Sequence, residues 1–356
     1  MAQADYHCGV TSSSSGIQSG PVAGAQECAD GRPSLQDRYA GALLGAALGD
    51  ALGRPVEFLD EDVIRYRFGP AGILEPPSPA LYTDDTQLMM ATARALLHAD
   101  TSVPGVVRGA RDEYLAWLAT QDSPVHRRAP GVSIIGALQR LQRGLSPSVA
   151  ADAGANESIV ATRVLPVAMR FHGDLGRIVS TATELSRLTH SHPGAVAGGA
   201  AAALFLEYAL AGRPTDTWFR KGVIQLKRWC PDDTRQAVES LRAAESAIEW
   251  SDDDAVEAIG RARPSFGAGW TADEAVALGL WCFLRHQGDY KAAVRLAANA
   301  VGESDSDAIA TVAGALAGAC LGAGAIPIGW LDRLEDRDTI AGLAHALYSA
   351  AGASDG

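Results

Sequence analysis

The chain has 356 residues, of which 47% are hydrophobic and 20% are charged, a balance that is typical of a globular protein. Its formal net charge is -12 and its basic residues form no cluster, which argues against a nucleic acid partner, because such binding depends on neutralising phosphates. The five cysteines include no CxxC pair, so the sequence predicts neither a disulfide framework nor a zinc site and favours the reducing cytoplasm.

The first 34 residues are rich in Ser, Gly, Ala and Gln. They offer little apolar surface to bury, so residues 1–34 are predicted to form a disordered tail. This segment also lacks the charged start and apolar stretch of a secretory signal. No uncharged apolar run of about 18 residues with polar flanks is evident, so no membrane span is expected.

From residue 35 onward the sequence predicts an all-α fold, because helix-forming residues dominate and alternating β-branched runs are scarce. No Pro- or Ser-rich linker divides this part, so residues 35–350 are expected to form a single domain. The predicted helices are 36–53, 84–99, 105–119, 131–143, 148–152, 158–171, 175–187, 193–211, 215–228, 233–249, 252–260, 271–286, 289–300, 305–323 and 337–350.

Two of these helices carry glycines at four-residue spacing: Gly41, Gly45, Gly49 and Gly53 in the first, and Gly314, Gly318 and Gly322 in the second. Residues four apart share one helix face. Each internal glycine costs about 1 kcal/mol relative to alanine, which is tolerable where a smooth face lets another backbone approach closely. Tight helix packing is the simplest interpretation, and it would hold the acidic helix starts described next rigidly near each other.

The first acidic helix start is Thr83-Asp84-Asp85-Thr86, which directly precedes the apolar run of the helix predicted at 84–99. Thr83 is a natural N-cap residue. Asp84 and Asp85 then fall in the first turn, where the helix dipole favours negative charge. Taken alone, this motif is better explained by acidic residues that simply cap a helix.

The second acidic helix start is Asp305-Ser306-Asp307, which opens the Gly- and Ala-rich helix. Four carboxylates brought together would repel strongly unless cations lay between them. Hard oxygen ligands without His or Cys select Mg²⁺, Mn²⁺ or Ca²⁺ over zinc, and the hydroxyl of Thr83 is suited to complete the coordination shell. Two such ions would orient a substrate and polarise a water, so the pair of motifs indicates metal-assisted hydrolysis.

Six segments, taken in order, resemble those of the ADP-ribosylglycohydrolases related to the dinitrogenase-reductase-activating glycohydrolase, over about residues 36–330. The segments are Gly41–Phe58, Tyr82–Gln87, Ala129–Gly131, Leu188–Pro193, Gly267–Leu284 and Asp305–Asp307. The resemblance implies a single-domain orthogonal bundle of helices around a pair of Mg²⁺ or Mn²⁺ ions. It also implies removal of ADP-ribose from a modified group, often the side chain of an arginine.

The resemblance also implies roles for individual residues. The metal ligands would be Thr83, Asp84, Asp85, Asp305 and Asp307. Glu57 would lie on a mobile loop beside the ribose, and the catalytic base would be Glu57, Asp84 or Asp305. The ADP-ribose cleft would be lined by His190, Trp270, Gly131 and Ser158. A histidine near a helix start is also commonly a hydrogen-bonded structural residue, and this alternative stays open for His190.

The chain departs from the family pattern in two places. The second metal motif usually continues with Ser or Thr, but Ala308 stands there, so one ion loses a hydroxyl ligand and is expected to bind weakly. Where the family has a Gly-rich loop ending in Met-Arg, this chain has Glu157–Pro166. The branched residues Ile159 and Val160 cannot copy glycine geometry freely, which predicts a different substrate specificity or a reduced activity.

Three functions are therefore compatible with the sequence. The first is metal-dependent hydrolysis of an ADP-ribosyl adduct on a protein or a small molecule. The second is an ADP-ribose-binding protein on the same scaffold with weak or no turnover. The third is a different Mg²⁺-dependent hydrolase of phosphorylated nucleotides. Release of free ADP-ribose would indicate the first, binding without release the second, and liberated phosphate the third.

Overall fold

The computed structural model describes residues 32–98, 100–230, 232–249, 267–299 and 303–352. Residues 1–31 of the predicted tail and the predicted helix 252–260 lie outside the described residues. Within the described part, the chain is helical and contains no β-strand, only isolated bridges between Ala80 and Leu334 and between Asp152 and His190. The predicted all-α fold is confirmed.

The helices follow one another in a single series, interrupted by short 3₁₀ turns at Thr215–Thr217 and Ala323–Ala325. The described α-helices are α1 Leu35–Gly53, α2 Glu61–Phe68, α3 Asp84–Leu96, α4 Val103–Thr120, α5 Val132–Gln142, α6 Pro147–Ala150, α7 Ile159–Arg163, α8 Pro166–Arg170, α9 Leu175–Arg187, α10 Pro193–Leu210, α11 Trp218–Trp229, α12 Arg235–Ser246, α13 Ala272–Arg285, α14 Tyr290–Asn299, α15 Ser306–Leu321, α16 Ile328–Leu331 and α17 Arg337–Gly352.

Helices α1 and α15 pack against each other through their glycine faces. A Cβ atom added to Gly41 would collide with the backbone of Gly318, and one added to Gly53 would collide with the backbone of Ser306. The pairing therefore runs in opposite directions along the two helices. The C-terminal end of α1 consequently lies beside the N-terminal start of α15, where the Ser306 hydroxyl donates a hydrogen bond of 3.1 Å to the Gly53 carbonyl.

Asp50 joins α1 to the start of α3. Its Oδ1 accepts a hydrogen bond of 2.9 Å from the Thr83 amide. Its Oδ2 accepts from the amide and the hydroxyl of Thr86, at 3.0 and 2.6 Å. The side chain is fully buried, so these bonds satisfy a carboxyl group that water cannot reach. α1 thus holds both acidic helix starts at the same end of the bundle.

The centre of the bundle is formed by α10, which contacts α7, α8, α9 and α13. This helix is long and apolar enough to cross a membrane, but 94% of it is buried within the protein. Its one charged side chain, Glu207, binds the ring of His172 at 2.8 Å and the amide of Gly173 at 3.2 Å. These features identify α10 as a core helix.

The predicted helices differ from the structure in three places. The predicted helix 158–171 is divided into α7 and α8, because Pro166 has no amide hydrogen to continue the first helix and begins the second. Helix α2 was not predicted, although Asp60 caps it through a hydrogen bond to the Val63 amide. Helix α16 is a single turn and was also missed.

Candidate active site

The two acidic helix starts meet at one pocket of about 190 Å³. The start of α3 contributes Asp84 and Asp85, and the start of α15 contributes Asp305 and Asp307. The remaining described lining residues come from loops and other helix starts: Glu57, Phe58, Ala129, Gly131, Glu157, Ser158, Ile159 and Trp270. Most residues that the sequence selected as catalytic, metal-binding or substrate-binding are therefore brought together.

The tightest group of carboxyl groups joins the loop after α1 to the start of α15. One oxygen each of Glu57, Asp305 and Asp307 lies within 4.8 Å of the others. The Ser158 hydroxyl donates a hydrogen bond to Asp305, and Asp307 accepts one of 3.0 Å from the amide of Ala308. No described residue donates a hydrogen bond to the carboxyl of Glu57. These separations are short enough for the three carboxyl groups to share one cation.

Burial and mutual repulsion raise the pKa of the carboxyl groups in this cluster. Burial first, then the charges of neighbouring carboxylates, raise the pKa of Asp84, Asp85 and Asp305 well above the ordinary value. The same two causes raise the pKa of Glu57 to about 9. Burial also raises the pKa of Asp307. No arginine or lysine is found among the described residues that line the pocket, so protons or bound cations must compensate this charge.

The donor set fits a hard divalent cation. All of the candidate ligands in the pocket offer carboxylate oxygens, and neither His nor Cys is among its described lining residues. Such oxygen-only sites suit Mg²⁺, Mn²⁺ or Ca²⁺ rather than zinc. A cation between these carboxylates would also remove the repulsion that raises their pKa values.

Two threonine hydroxyl groups form hydrogen bonds with Asp85, on the α3 side of the pocket. The Thr162 hydroxyl donates a hydrogen bond of 2.6 Å to Oδ1 of Asp85. The Thr83 hydroxyl accepts one of 3.2 Å from the Asp85 amide, so it caps α3 as its position predicts. Thr83 is only 2% exposed and is not one of the residues that line the pocket. Asp84 lines the pocket directly.

Trp270 forms one wall of the pocket together with Phe58. Their rings stack with centroids 4.9 Å apart and an angle of 25° between planes. Trp270 Nε1 donates a hydrogen bond of 3.0 Å to the carbonyl of Glu303, and its own carbonyl accepts one of 3.1 Å from the Ser158 amide. Phe58 has a positive φ of 61° and is 61% exposed. Trp270 is thus a pocket residue, with one ring face covered by Phe58.

The predicted substrate-binding residues Gly131 and Ser158 line the pocket, whereas His190 lies behind it. His190 is fully buried, and its Nε2 lies 3.1 Å from Oε2 of Glu157, which does face the pocket. A Cβ atom on Gly131 would lie 2.7 Å from the same Glu157 oxygen, so a larger residue at position 131 would clash with this carboxylate. His190 itself does not line the pocket, and its link to it is the contact with Glu157.

Sequence reasoning missed four residues of the site: Asp50, Phe58, Glu157 and Thr162. Asp50 carried a signal, since it is the one charged residue between Gly41 and Gly53. The other three lie in segments that the sequence had singled out, but their individual roles could not be predicted. Those roles arise from contacts with residues far away in the chain, such as Trp270 for Phe58 and Asp85 for Thr162.

Comparisons with known proteins bear on the family and the fold of the chain. A family profile described as ADP-ribosylglycohydrolase matches residues 31–356. An uncharacterized protein of Archaeoglobus fulgidus is 28% identical over 319 residues, covering 88% of this chain and 97% of that protein. The ADP-ribosylarginine hydrolase Tri1 of Serratia proteamaculans is 26% identical over 326 residues, covering 90% of this chain and 81% of its own. A solved structure titled ADP-ribosylglycohydrolase-related protein complex superposes with a TM-score of 0.68 at 28% identity, covering 89% of this chain and 99% of that chain.

Proposed function

Since the chain belongs to the ADP-ribosylglycohydrolase family, we propose that it is a metal-dependent hydrolase that removes ADP-ribose from modified arginine side chains. The observation that carries this proposal is the convergence of two acidic helix starts and Glu57 on one pocket. The substrate is an ADP-ribosylated protein or small molecule. The arginine linkage is supported by the Serratia relative, which is named as an ADP-ribosylarginine hydrolase.

The proposed ligands of two Mg²⁺ ions are Thr83, Asp84, Asp85, Asp305 and Asp307, with Mn²⁺ as the other suitable ion. Bound there, the ions would polarise a water and hold the ribose hydroxyls. The residues behind the pocket keep the ligands in place: Thr162 holds Asp85, and Ser158 holds Asp305. The ion that lacks a hydroxyl at position 308 is proposed to bind more weakly than the other.

In the proposed reaction, the oxygen of water bonds to the anomeric carbon of the ribose while the bond from that carbon to the guanidinium nitrogen breaks. The water loses a proton to a carboxylate, and the leaving nitrogen gains one. Glu57 is suited to move a proton, because its carboxyl lines the pocket on a loop and has no hydrogen bond to a described residue. Asp84 and Asp305 are the other candidates for the base. Positive charge that develops on the ribose is stabilised by the surrounding carboxylates.

The substrate cleft is proposed to extend over Trp270 and Gly131. The free part of the Trp270 ring offers a stacking surface for a base or a sugar. Every ionisable side chain among the described lining residues is acidic. These carboxylates would repel a diphosphate unless a cation lay between them and the phosphate oxygens. The ribose is therefore proposed to enter the pocket, with the diphosphate outside it or beside a bound cation.

The test is incubation with arginine-, serine- and nucleic-acid-linked ADP-ribose, with and without EDTA, followed by detection of free ADP-ribose. We expect release from the arginine-linked substrate and its loss in EDTA. Asp305→Asn should abolish release while the melting temperature stays close to that of the parent protein, because the substitution keeps the size of the side chain. Binding of ADP-ribose without release would instead indicate a binding protein, and liberated phosphate a nucleotide hydrolase.

A further inference from the structure

Glu157 differs from the other carboxyl groups of the pocket in what surrounds it. Its Oε2 lies 3.1 Å from Nε2 of His190, within hydrogen-bond distance. Ser133, in the first turn of α5, is also close enough to favour the charged form, and the dipole of that helix favours a negative charge as well. Burial raises the pKa of Glu157, but His190 and Ser133 outweigh it and the net pKa is lowered. Glu157 is therefore an anion at neutral pH, and its side chain is 30% exposed.

A buried chain of hydrogen bonds orients His190 toward Glu157. Nη2 of Arg163 donates to the Thr189 hydroxyl at 2.7 Å, and that hydroxyl lies 2.8 Å from Nδ1 of His190. An ionised carboxylate only accepts hydrogen bonds, so Nε2 of His190 must carry the proton that faces Glu157. Burial lowers the pKa of His190, which leaves Nδ1 bare to accept from Thr189. The chain thus fixes one tautomer of the ring.

Glu157 lies directly beside the acidic cluster. It precedes Ser158, whose hydroxyl binds Asp305, and both residues line the same pocket. A carboxylate has about four acceptor positions, so Glu157 retains capacity for a ligand beyond His190 and Ser133. A guanidinium, which is planar, charged and rich in N–H groups, is the cation that matches a carboxylate best.

We propose that Glu157 is a specificity-determining residue that binds a guanidinium on the leaving side of the glycosidic bond, with His190 as the positioning residue that holds its carboxylate. This inference rests on the proposed function and defines its substrate class as N-glycosides of a guanidinium. The alternative is that Glu157 has only a structural role, as a negative charge near the N-terminal end of α5. A purely structural charge does not distinguish one leaving group from another, so the two possibilities differ in substrate selectivity.

The test compares Glu157→Gln with the parent protein on arginine-linked and serine-linked ADP-ribose peptides. Glutamine keeps the size of the side chain and an acceptor oxygen for His190, but it removes the charge. We expect kcat/KM for the arginine-linked peptide to fall roughly 10- to 100-fold, the loss of one charge-assisted hydrogen bond. Any turnover of the serine-linked peptide should change less than about threefold, because its leaving group carries no cation.

A matched pair of variants tests the positioning role of His190. Thr189→Val removes the hydroxyl that fixes the tautomer, whereas Thr189→Ser keeps it. We expect the valine variant to lose preference for the arginine-linked peptide over the serine-linked one, and the serine variant to keep it. Thr189 is fully buried, so the ratio of the two substrates, rather than total activity, is the informative measurement.

Equal losses on both peptides in Glu157→Gln would overturn the inference while leaving hydrolysis by the parent protein intact. If the parent protein turns over the arginine-linked peptide alone, the selectivity of the two proteins cannot be compared through turnover. The affinities of the parent protein and of Glu157→Gln for agmatine, a free guanidinium compound, are then compared by calorimetric titration. The same titration applies if the parent protein releases ADP-ribose from neither peptide, in which case the proposed function fails. Weaker agmatine binding in Glu157→Gln supports the inference, and equal or absent binding in both proteins refutes it.

Discussion

Ala308 occupies a position where a single missing oxygen is expected to matter. Its amide donates a hydrogen bond of 3.0 Å to Asp307, and its side chain is fully buried at the start of α15. The methyl group offers no lone pair to a cation. Mg²⁺ prefers six oxygen ligands and readily keeps water, so a water is expected to replace the hydroxyl. This reasoning predicts one firmly held ion and one weak ion.

Ala308→Thr should tighten the weaker Mg²⁺ site, by roughly tenfold if the hydroxyl reaches the ion. Activity at low Mg²⁺ should rise with it. The control is Ala308→Val, which has nearly the same shape as threonine but no hydroxyl. Magnesium titrations of activity in the three proteins provide the measurement. If threonine and valine give the same curve, the missing hydroxyl has no influence on metal binding.

At the scale of the element, the α1–α15 contact connects the glycine pattern to the site. The close approach of these helices places Gly53 beside Ser306, so Glu57, four residues further along, reaches Asp305 and Asp307. The cost of several helical glycines is therefore offset by a contact that positions carboxyl groups from opposite ends of the sequence.

Gly49→Ala should lower the free energy of unfolding by about 1–3 kcal/mol, as expected for overpacking. The added Cβ would lie 2.5 Å from the carbonyl carbon of Ala310 and 2.9 Å from the amide nitrogen of Thr311, and neither backbone atom moves easily. The measurement is urea denaturation. Gly342→Ala is the matched control, because nothing lies within 4 Å of its added Cβ and alanine favours the helix by about 1 kcal/mol. Equal stability of the two variants would show that the α1–α15 contact tolerates a wider separation.

At the scale of the whole molecule, the acidic cluster is expected to make the stability of the protein depend on pH and on bound metal ions. Burial first, then the charge of Asp307, raises the pKa of Asp50 to about 7, and burial with several neighbouring carboxylates raises that of Glu57 to about 9. The ordinary values are 3.8 and 4.5, so between these values and the raised ones the folded protein binds more protons than the unfolded chain. The free energy of unfolding of the metal-free protein must then fall as pH rises through this window.

We therefore expect Mg²⁺ to stabilise the protein more at pH 8.5 than at pH 5.5, because cations replace the missing protons. The measurement is the difference in melting temperature between Mg²⁺ and EDTA at each pH, with ionic strength matched by NaCl. Taking this difference cancels the titration of groups elsewhere in the protein. A difference that is the same at both pH values would argue against a metal site built from these carboxyl groups.

The all-α class and most of the helices could be predicted from the sequence, because helical periodicity and capping residues are local properties. The sequence also selected Asp84, Asp85, Asp305 and Asp307, since acidic pairs at helix starts can be seen without a structure, whereas Glu57 was selected by the family resemblance alone. The division of 158–171 at Pro166 also has a local cause, because proline cannot continue a helix through its own amide. The domain limits 35–350 and the disordered tail remain predictions.

How these residues meet could not be predicted, because it depends on contacts between distant segments of the folded chain. The antiparallel contact of α1 with α15, which brings Glu57 to Asp305, depends on backbone atoms more than 250 residues apart in the chain, such as the Gly53 carbonyl bound by Ser306. The placement of His190 behind Glu157 depends in the same way on packing between distant segments. Local patterns specify which side chains a helix presents, but the charge that a carboxylate carries is set by its neighbours in space, and these exist only once the chain has folded.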